Sequence, residues 1–154
     1  MPSDPGYLRV VIRIEVTLAI ERRPEDVFEL LSDIERLPEW QSSALEAQTD
    51  GPLEQGSRVR ERRRLLGREA DSELEVVAYE RPTRLMLRSL GGPVEFTVDH
   101  KLVAEDGGTQ LRFVAEAEPG GLLKLAGPML ARTAEHEFRQ DFDRLKELLE
   151  ARRA

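Results

Sequence analysis

Between Ile14 and Ser42 the chain reads IEVTLAIERRPEDVFELLSDIERLPEWQS, and this stretch leaves few folds open. From Val10 the apolar residues alternate through Ile12, Ile14, Val16, Leu18 and Ile20. That period of two gives a strand one buried face. Pro24 suits a helix start, where a missing N–H costs nothing, and Glu25 and Asp26 favour the positive end of the helix dipole. Val27, Leu30, Leu31 and Ile34 follow at helical spacing, and a second short helical stretch ends at Pro38-Glu39-Trp40. The last thirty or so residues read as one much longer helix. A strand, two small helices, meandering strands and one long terminal helix imply an α+β chain whose sheet curls around that helix.

The terminal helix is expected from near Gly121 to about Arg152, with Pro128 bending it or marking a break after Gly127. Leu123, Leu130, Ala134, Phe138, Phe142, Leu145 and Leu149 form its apolar stripe. Arg132, Glu135, His136, Arg139, Asp143, Lys146 and Glu150 form the opposite face. Asp141 falls inside the stripe and reads as a structural partner for a strand arginine.

Between the helices, Leu45, Ala47 and Thr49 suggest a short strand before a turn at Asp50-Gly51-Pro52. Hairpin-like units follow, punctuated by Gly67, Arg81-Pro82, Gly91-Gly92-Pro93 and Asp106-Gly107-Gly108. Arg58, Arg60, Arg62 and Arg64 share one face of the third strand, and Glu69, Asp71, Glu73 and Glu75 one face of the fourth. A tight turn at Leu66-Gly67 sets these charges opposite one another, each pair contributing roughly 0.2–1 kcal/mol. The basic run RVRERRR thus has a structural account, with acidic neighbours cancelling its field and no interleaved aromatics for nucleic acid. On the sixth strand Val94, Phe96, Val98, His100 and Leu102 lie on one face. On the seventh, Leu111, Phe113, Ala115 and Ala117 do the same. A two-residue turn at Asp106-Gly107 puts Lys101 opposite Arg112, and a shift by two puts Asp99 there instead.

At 154 residues the chain reads as a single domain, 1–154, with residues 1–6 loose. The absence of cysteine excludes disulfides, a thiol nucleophile and thiolate metal sites. No apolar run is long enough to span a membrane. The start, MPSDPGYLRV, lacks the features of a signal peptide, so a cytoplasmic protein is expected. A net charge of −7 disfavours nucleic acid as a partner.

Taken together, Pro24-Glu25-Asp26-Val27-Phe28, Leu31-Ser32-Asp33-Ile34-Glu35 with Pro38-Glu39-Trp40, Gly56, Gly107-Gly108-Thr109-Gln110-Leu111, and Leu145-Lys146 with Leu149-Glu150 resemble the START-like (SRPBCC) superfamily. The polyketide cyclase/dehydrase branch is the nearest. The resemblance covers roughly residues 10–151. It implies a helix-grip fold: seven antiparallel strands around the terminal helix, with a cavity between them. Members bind lipids, sterols, quinones, plant hormones or polyketide intermediates; some catalyse ring closure or dehydration, and others bind protein partners.

Three functions follow as expectations: a carrier of an apolar small molecule, a cyclase or dehydratase, or a partner-binding module like the related activators of a heat-shock ATPase. No cofactor and no metal are expected, since the two histidines stand on different elements without ligand spacing. The serines lack a nucleophile motif. The pocket is expected between sheet and helix, walled by Val59, Leu74, Phe96, Val98, Phe113, Leu130, Ala134 and Phe138. Glu61, Arg63, Ser72 and His100 are its candidate polar anchors. Glu61 and Arg63 point inward by parity, either as a mutual ion pair or as groups that meet ligand. His100 is a hydrogen-bonded core histidine or a cavity group. Trp40 packs in the core or touches ligand at the rim. His136 is read as solvated.

Overall fold

The computed structural model describes residues 11–65, 67–91, 94–119 and 127–151. The elements run β1 (Ile12–Ile20), α1 (Pro24–Ser32), a 3₁₀ stretch (Ile34–Glu39), β2 (Ala44–Thr49), β3 (Arg58–Leu65), β4 (Arg68–Glu80), β5 (Arg84–Ser89), β6 (Val94–Glu105), β7 (Gly108–Pro119) and α2 (Gly127–Ala151). The strands form one antiparallel sheet in the order β1-β7-β6-β5-β4-β3-β2. The two helical segments after β1 carry the chain to the far edge. It then meanders back until β7 pairs with β1. This is the expected helix-grip architecture. Among the described residues, no helix is long and apolar enough to cross a membrane.

The local reasons are those of the sequence. Pro24 opens α1, which buries Val27, Phe28, Leu30 and Leu31. The β3–β4 hairpin pairs Arg58 with Glu75, Arg60 with Glu73, Arg62 with Asp71 and Arg64 with Glu69. The four arginines are exposed, but their side chains do not all meet the residue directly opposite. Arg62 reaches Asp71 at 3.0 Å and Arg64 reaches Glu69 at 3.3 Å. Arg58 leans diagonally to Glu73 at 3.6 Å and Arg60 to Asp50 at 3.2 Å, while Glu75 is taken by Arg88 of β5 at 2.7 Å.

At the β6–β7 hairpin the two-residue turn prevails, with Asp106 at φ 50° and Gly107 at φ 82°. Both positive angles suit a turn whose twist matches that of the strands. Lys101 therefore does sit opposite Arg112. Glu15 of β1 neutralises Arg112 from the other side, accepting a hydrogen bond at 2.6 Å. Next to the turn, Gly108 lies so close to β1 that an added Cβ would stand 2.5 Å from the Ile20 carbonyl oxygen.

β2 forms where Leu45, Ala47 and Thr49 suggested a strand, but its period of two is broken. A bulge between Ala44 and Glu46 turns Leu45 outward, so Ala44 and Ala47, three apart, share the buried face. Among the described residues helix α2 runs from Gly127 to Ala151 and includes Pro128. The expected start near Gly121, and Leu123 with it, lie outside the described residues.

α2 grips the sheet unevenly. Phe142, Leu145 and Leu149 are buried. The same end is tied down by Arg22, whose Nη1 donates to the Leu149 carbonyl at 2.7 Å, and by Lys146, whose Nζ donates to the Ala19 carbonyl at 2.6 Å. Toward the other end of α2, Leu130, Ala134 and Phe138 are only half-buried and Met129 is exposed.

Candidate functional site

An aromatic cluster lies where α2 crosses β6 and β7. The strand register sets His100 beside Phe113, with ring centroids 5.1 Å apart. Phe113 also packs against Phe142 at 4.6 Å and Phe138 at 4.9 Å. Trp40, at the end of the 3₁₀ stretch, joins through Phe142 at 5.3 Å.

The expected pocket walls divide into two sets. Val59, Leu74 and Phe113 are buried core residues. Phe96, Val98, Leu130, Ala134 and Phe138 are half-buried. The face that α2 covers is therefore filled at one end and leaves an apolar surface partly uncovered along the other. Two hollows lined by described residues lie elsewhere and are largely polar: one against Arg13, Asp99, Lys101, Arg112, Val114 and Glu116, the other against Ser32, Asp33, Ile34, Glu35, Thr49, Gly51 and Leu53.

Glu61 and Arg63 form a mutual ion pair. The Arg63 guanidinium donates through Nε and Nη2 to the two Glu61 carboxylate oxygens at 2.9 and 2.8 Å. Its Nη1 donates to the Ser43 hydroxyl at 2.9 Å, and Nη2 also donates to the Gln41 side-chain oxygen. This fork geometry is what offsets the desolvation of two charges. Ser72 lies opposite Glu61 in the register and is half-buried. Gln41 and Ser43 went unmarked as partners. Their only sequence signal is a short polar run directly after Trp40.

Asp141 does not pair with a strand arginine, as the sequence reading had it. Its Oδ1 accepts from the Ser42 backbone N–H at 3.0 Å, and Ser42 Oγ donates to Glu137 at 3.3 Å. Burial pushes the Asp141 carboxyl above its ordinary pKa; the bonds from Ser42 and the charge of Arg63 oppose that shift. The helix thus holds the loop after Trp40 through backbone capture.

His100 has the character of a hydrogen-bonded core histidine. It is buried, and its Nδ1 lies 2.9 Å from the Leu85 carbonyl oxygen, so Nδ1 carries the proton and donates it. Burial pulls its pKa below the usual histidine range, so the ring is neutral at neutral pH. Trp40 is only 3% exposed, which places it in the packed interior and not at a rim. His136 is exposed. Among the described residues, no three histidine or carboxylate side chains gather into a metal-holding group.

Residues 11–150 match the model of a family described as polyketide cyclase / dehydrase and lipid transport. No curated protein matches the chain. Solved structures of the same fold include a START superfamily protein from Mycobacterium smegmatis, with TM-score 0.76 and 16% identity over 90% of this chain and 97% of that one. The di-domain ARO/CYC StfQ from the steffimycin biosynthetic pathway aligns with TM-score 0.77 and 14% identity over 93% of this chain and 52% of that one. A protein of unknown function from Staphylococcus aureus aligns with TM-score 0.77 and 16% identity, covering 93% and 96% of the two chains.

Proposed function

The chain belongs to the polyketide cyclase / dehydrase and lipid transport family, and from that membership together with the apolar face beneath α2 we propose that it binds a largely apolar small molecule between sheet and helix. One observation carries this reading. Phe96, Val98, Leu130, Ala134 and Phe138 stay half-buried on the inner side of the grip, although tight packing of the same stripe continues at Phe142, Leu145 and Leu149. Apolar walls with sparse polar groups are the usual make-up of a small-molecule site. Binding is favoured over turnover because the groups a cyclase would need are already engaged. Glu61 is bonded to Arg63, and His100 through Nδ1 to a strand carbonyl. The test is native mass spectrometry of the protein purified from its own host. An apolar molecule should copurify with the wild type and be lost in Phe138→Asp. Wild-type protein that carries nothing, and that also leaves apolar probes unbound in titration, overturns the proposal.

A further inference from the structure

We infer that the outer face of the sheet carries a second binding site, for a small soluble molecule bearing a phosphate group, built on Lys101 and Arg112. Strand alternation sets this face apart. His100 and Phe113 are buried in the core, so their neighbours Lys101 and Arg112 point the other way and are exposed. The site is therefore separate from the apolar one beneath α2 and stands without it. The register places Lys101 between two like charges, Arg84 on β5 and Arg112 on β7. Like charges directly opposite one another destabilise a sheet. Each arginine is relieved by a carboxylate. Asp99 accepts from Arg84 at 3.1 and 3.0 Å, and Glu15 accepts from Arg112 Nε at 2.6 Å. The Lys101 ammonium has no such partner among the described residues, and Arg112 spends only its Nε in a hydrogen bond there.

Both cations line one hollow of about 270 Å³, together with Arg13, Asp99, Val114 and Glu116. Val114 accounts for the recess: the register sets this short side chain between Asp99 and Glu15, among longer charged ones. The carboxylates around it are already engaged. Arg84 holds Asp99, Arg112 and Arg13 share Glu15, and Arg13 Nε lies 3.9 Å from Glu116. Arg13, Arg84, Lys101 and Arg112 thus outnumber Glu15, Asp99 and Glu116 by one positive charge, on a chain of net charge −7. A phosphate group fits what is left over. Its oxygens can accept from the Lys101 ammonium and from the two terminal nitrogens of Arg112, a point charge beside a fork. Its charge also offsets the repulsion between Lys101 and the flanking arginines. A carboxylate offers these three nitrogens only two oxygens, and an uncharged molecule leaves the repulsion in place. The excess is one charge in one recess of an acidic chain, which favours a soluble phosphate over an anionic membrane surface.

The experiment titrates the ¹⁵N-labelled full chain with inorganic phosphate at neutral pH. Sodium chloride holds the ionic strength constant, so that general screening does not change. Expected are saturable shifts of the Lys101, Arg112 and Val114 backbone signals and a thermal midpoint that rises with phosphate. Lys101→Met should weaken binding by about tenfold. Val114→Phe, which keeps every charge but fills the recess, should weaken it by a similar factor. Shifts that do not saturate, or the same affinity in Lys101→Met as in wild type, overturn the inference. A second arm sediments the protein with phosphatidylcholine vesicles containing phosphatidic acid, where it should stay in the supernatant. Capture on those vesicles with no response to free phosphate overturns the assignment to a soluble ligand. Should Val114→Phe not fold, Lys101→Met, a change at an exposed position, decides.

Discussion

Replacing Arg63 by methionine tests what the inward charges contribute. The Glu61 side chain is 4% exposed and that of Arg63 is 21% exposed. Arg63→Met removes the donors to Glu61, Ser43 and Gln41 together. It leaves a carboxylate in an apolar interior. Removing one partner of a buried pair costs about 3–5 kcal/mol. Water reaching the exposed fifth of Arg63 places the expected loss at the lower end, about 3 kcal/mol. Replacing both charges with apolar residues of similar volume is often neutral, so Glu61→Leu/Arg63→Met should cost only about 1 kcal/mol, mostly for the bond lost at buried Ser43. Urea unfolding at pH 7 measures both. With a slope of about 2 kcal/mol/M, the single variant should shift the midpoint down by about 1.5 M and the double by about 0.5 M. A double variant as unstable as Arg63→Met would refute the stranded-charge argument. A single variant within about 1 kcal/mol of wild type would show that the pair is solvated.

Two titrating groups give predictions of opposite sign. Burial lowers the pKa of His100 in the folded state, so the unfolded chain takes up a proton first as pH falls. The stability that the neutral ring contributes is complete above about 6.5 and declines below it. His100→Phe should therefore be less stable than wild type at pH 7.5, and the gap should narrow by pH 5; a gap constant across urea titrations at the two pH values would refute this. Burial raises the pKa of Asp141, so the unfolded chain releases its proton first, and stability is lost as pH rises beyond 3.8 through the folded-state value. Asp141→Asn keeps an oxygen for the Ser42 N–H and should match or exceed wild-type thermal stability at pH 7, with the gain vanishing near pH 4. Asp141→Ala, which keeps no acceptor, should lose roughly 1 kcal/mol at pH 7.

The architecture was legible because each of its signals is local and repeated. Alternation from Ile12 to Ile20 has one strand solution, and the charges of β3 and β4 fit one register. A slip by a single residue would bury the arginines and expose Val59. The strand holding Leu45, Ala47 and Thr49 was legible, but which of its residues are buried was not, because a bulge breaks period two without any composition signal. Asp141 was misassigned because its partner is a backbone N–H 99 residues away in sequence, and no side-chain pattern marks a backbone donor. Trp40 could be read as rim or core until its packing on Phe142 decided the matter. The inward direction of Glu61 and Arg63 followed from parity, but their bonds to Gln41 and Ser43 depend on how a loop folds back, which parity does not address.

The apolar stripe of α2 shows why a site can hide in a sequence that reveals its fold. Leu130, Ala134 and Phe138 repeat at the same helical spacing as Phe142, Leu145 and Leu149, so periodicity treats all six alike. What separates them is the opposing surface. The last three meet the core and lie in a segment that Arg22 and Lys146 tie to the end of β1 and the turn after it. The first three are half-buried, as are Phe96 and Val98 on the inner face of β6, and of the three Phe138 meets Phe113. Apolar side chains left half-covered on both sides forgo burial worth roughly 25 cal/mol per Å². Repacking with a few larger residues would recover that energy if stability alone mattered. The unfilled contact is reasonable if another molecule completes it. A cavity-filling change such as Ala134→Leu should therefore raise the thermal midpoint while weakening the binding of any apolar probe. An increase in both stability and affinity would show that the half-buried stripe is loose packing and not a site.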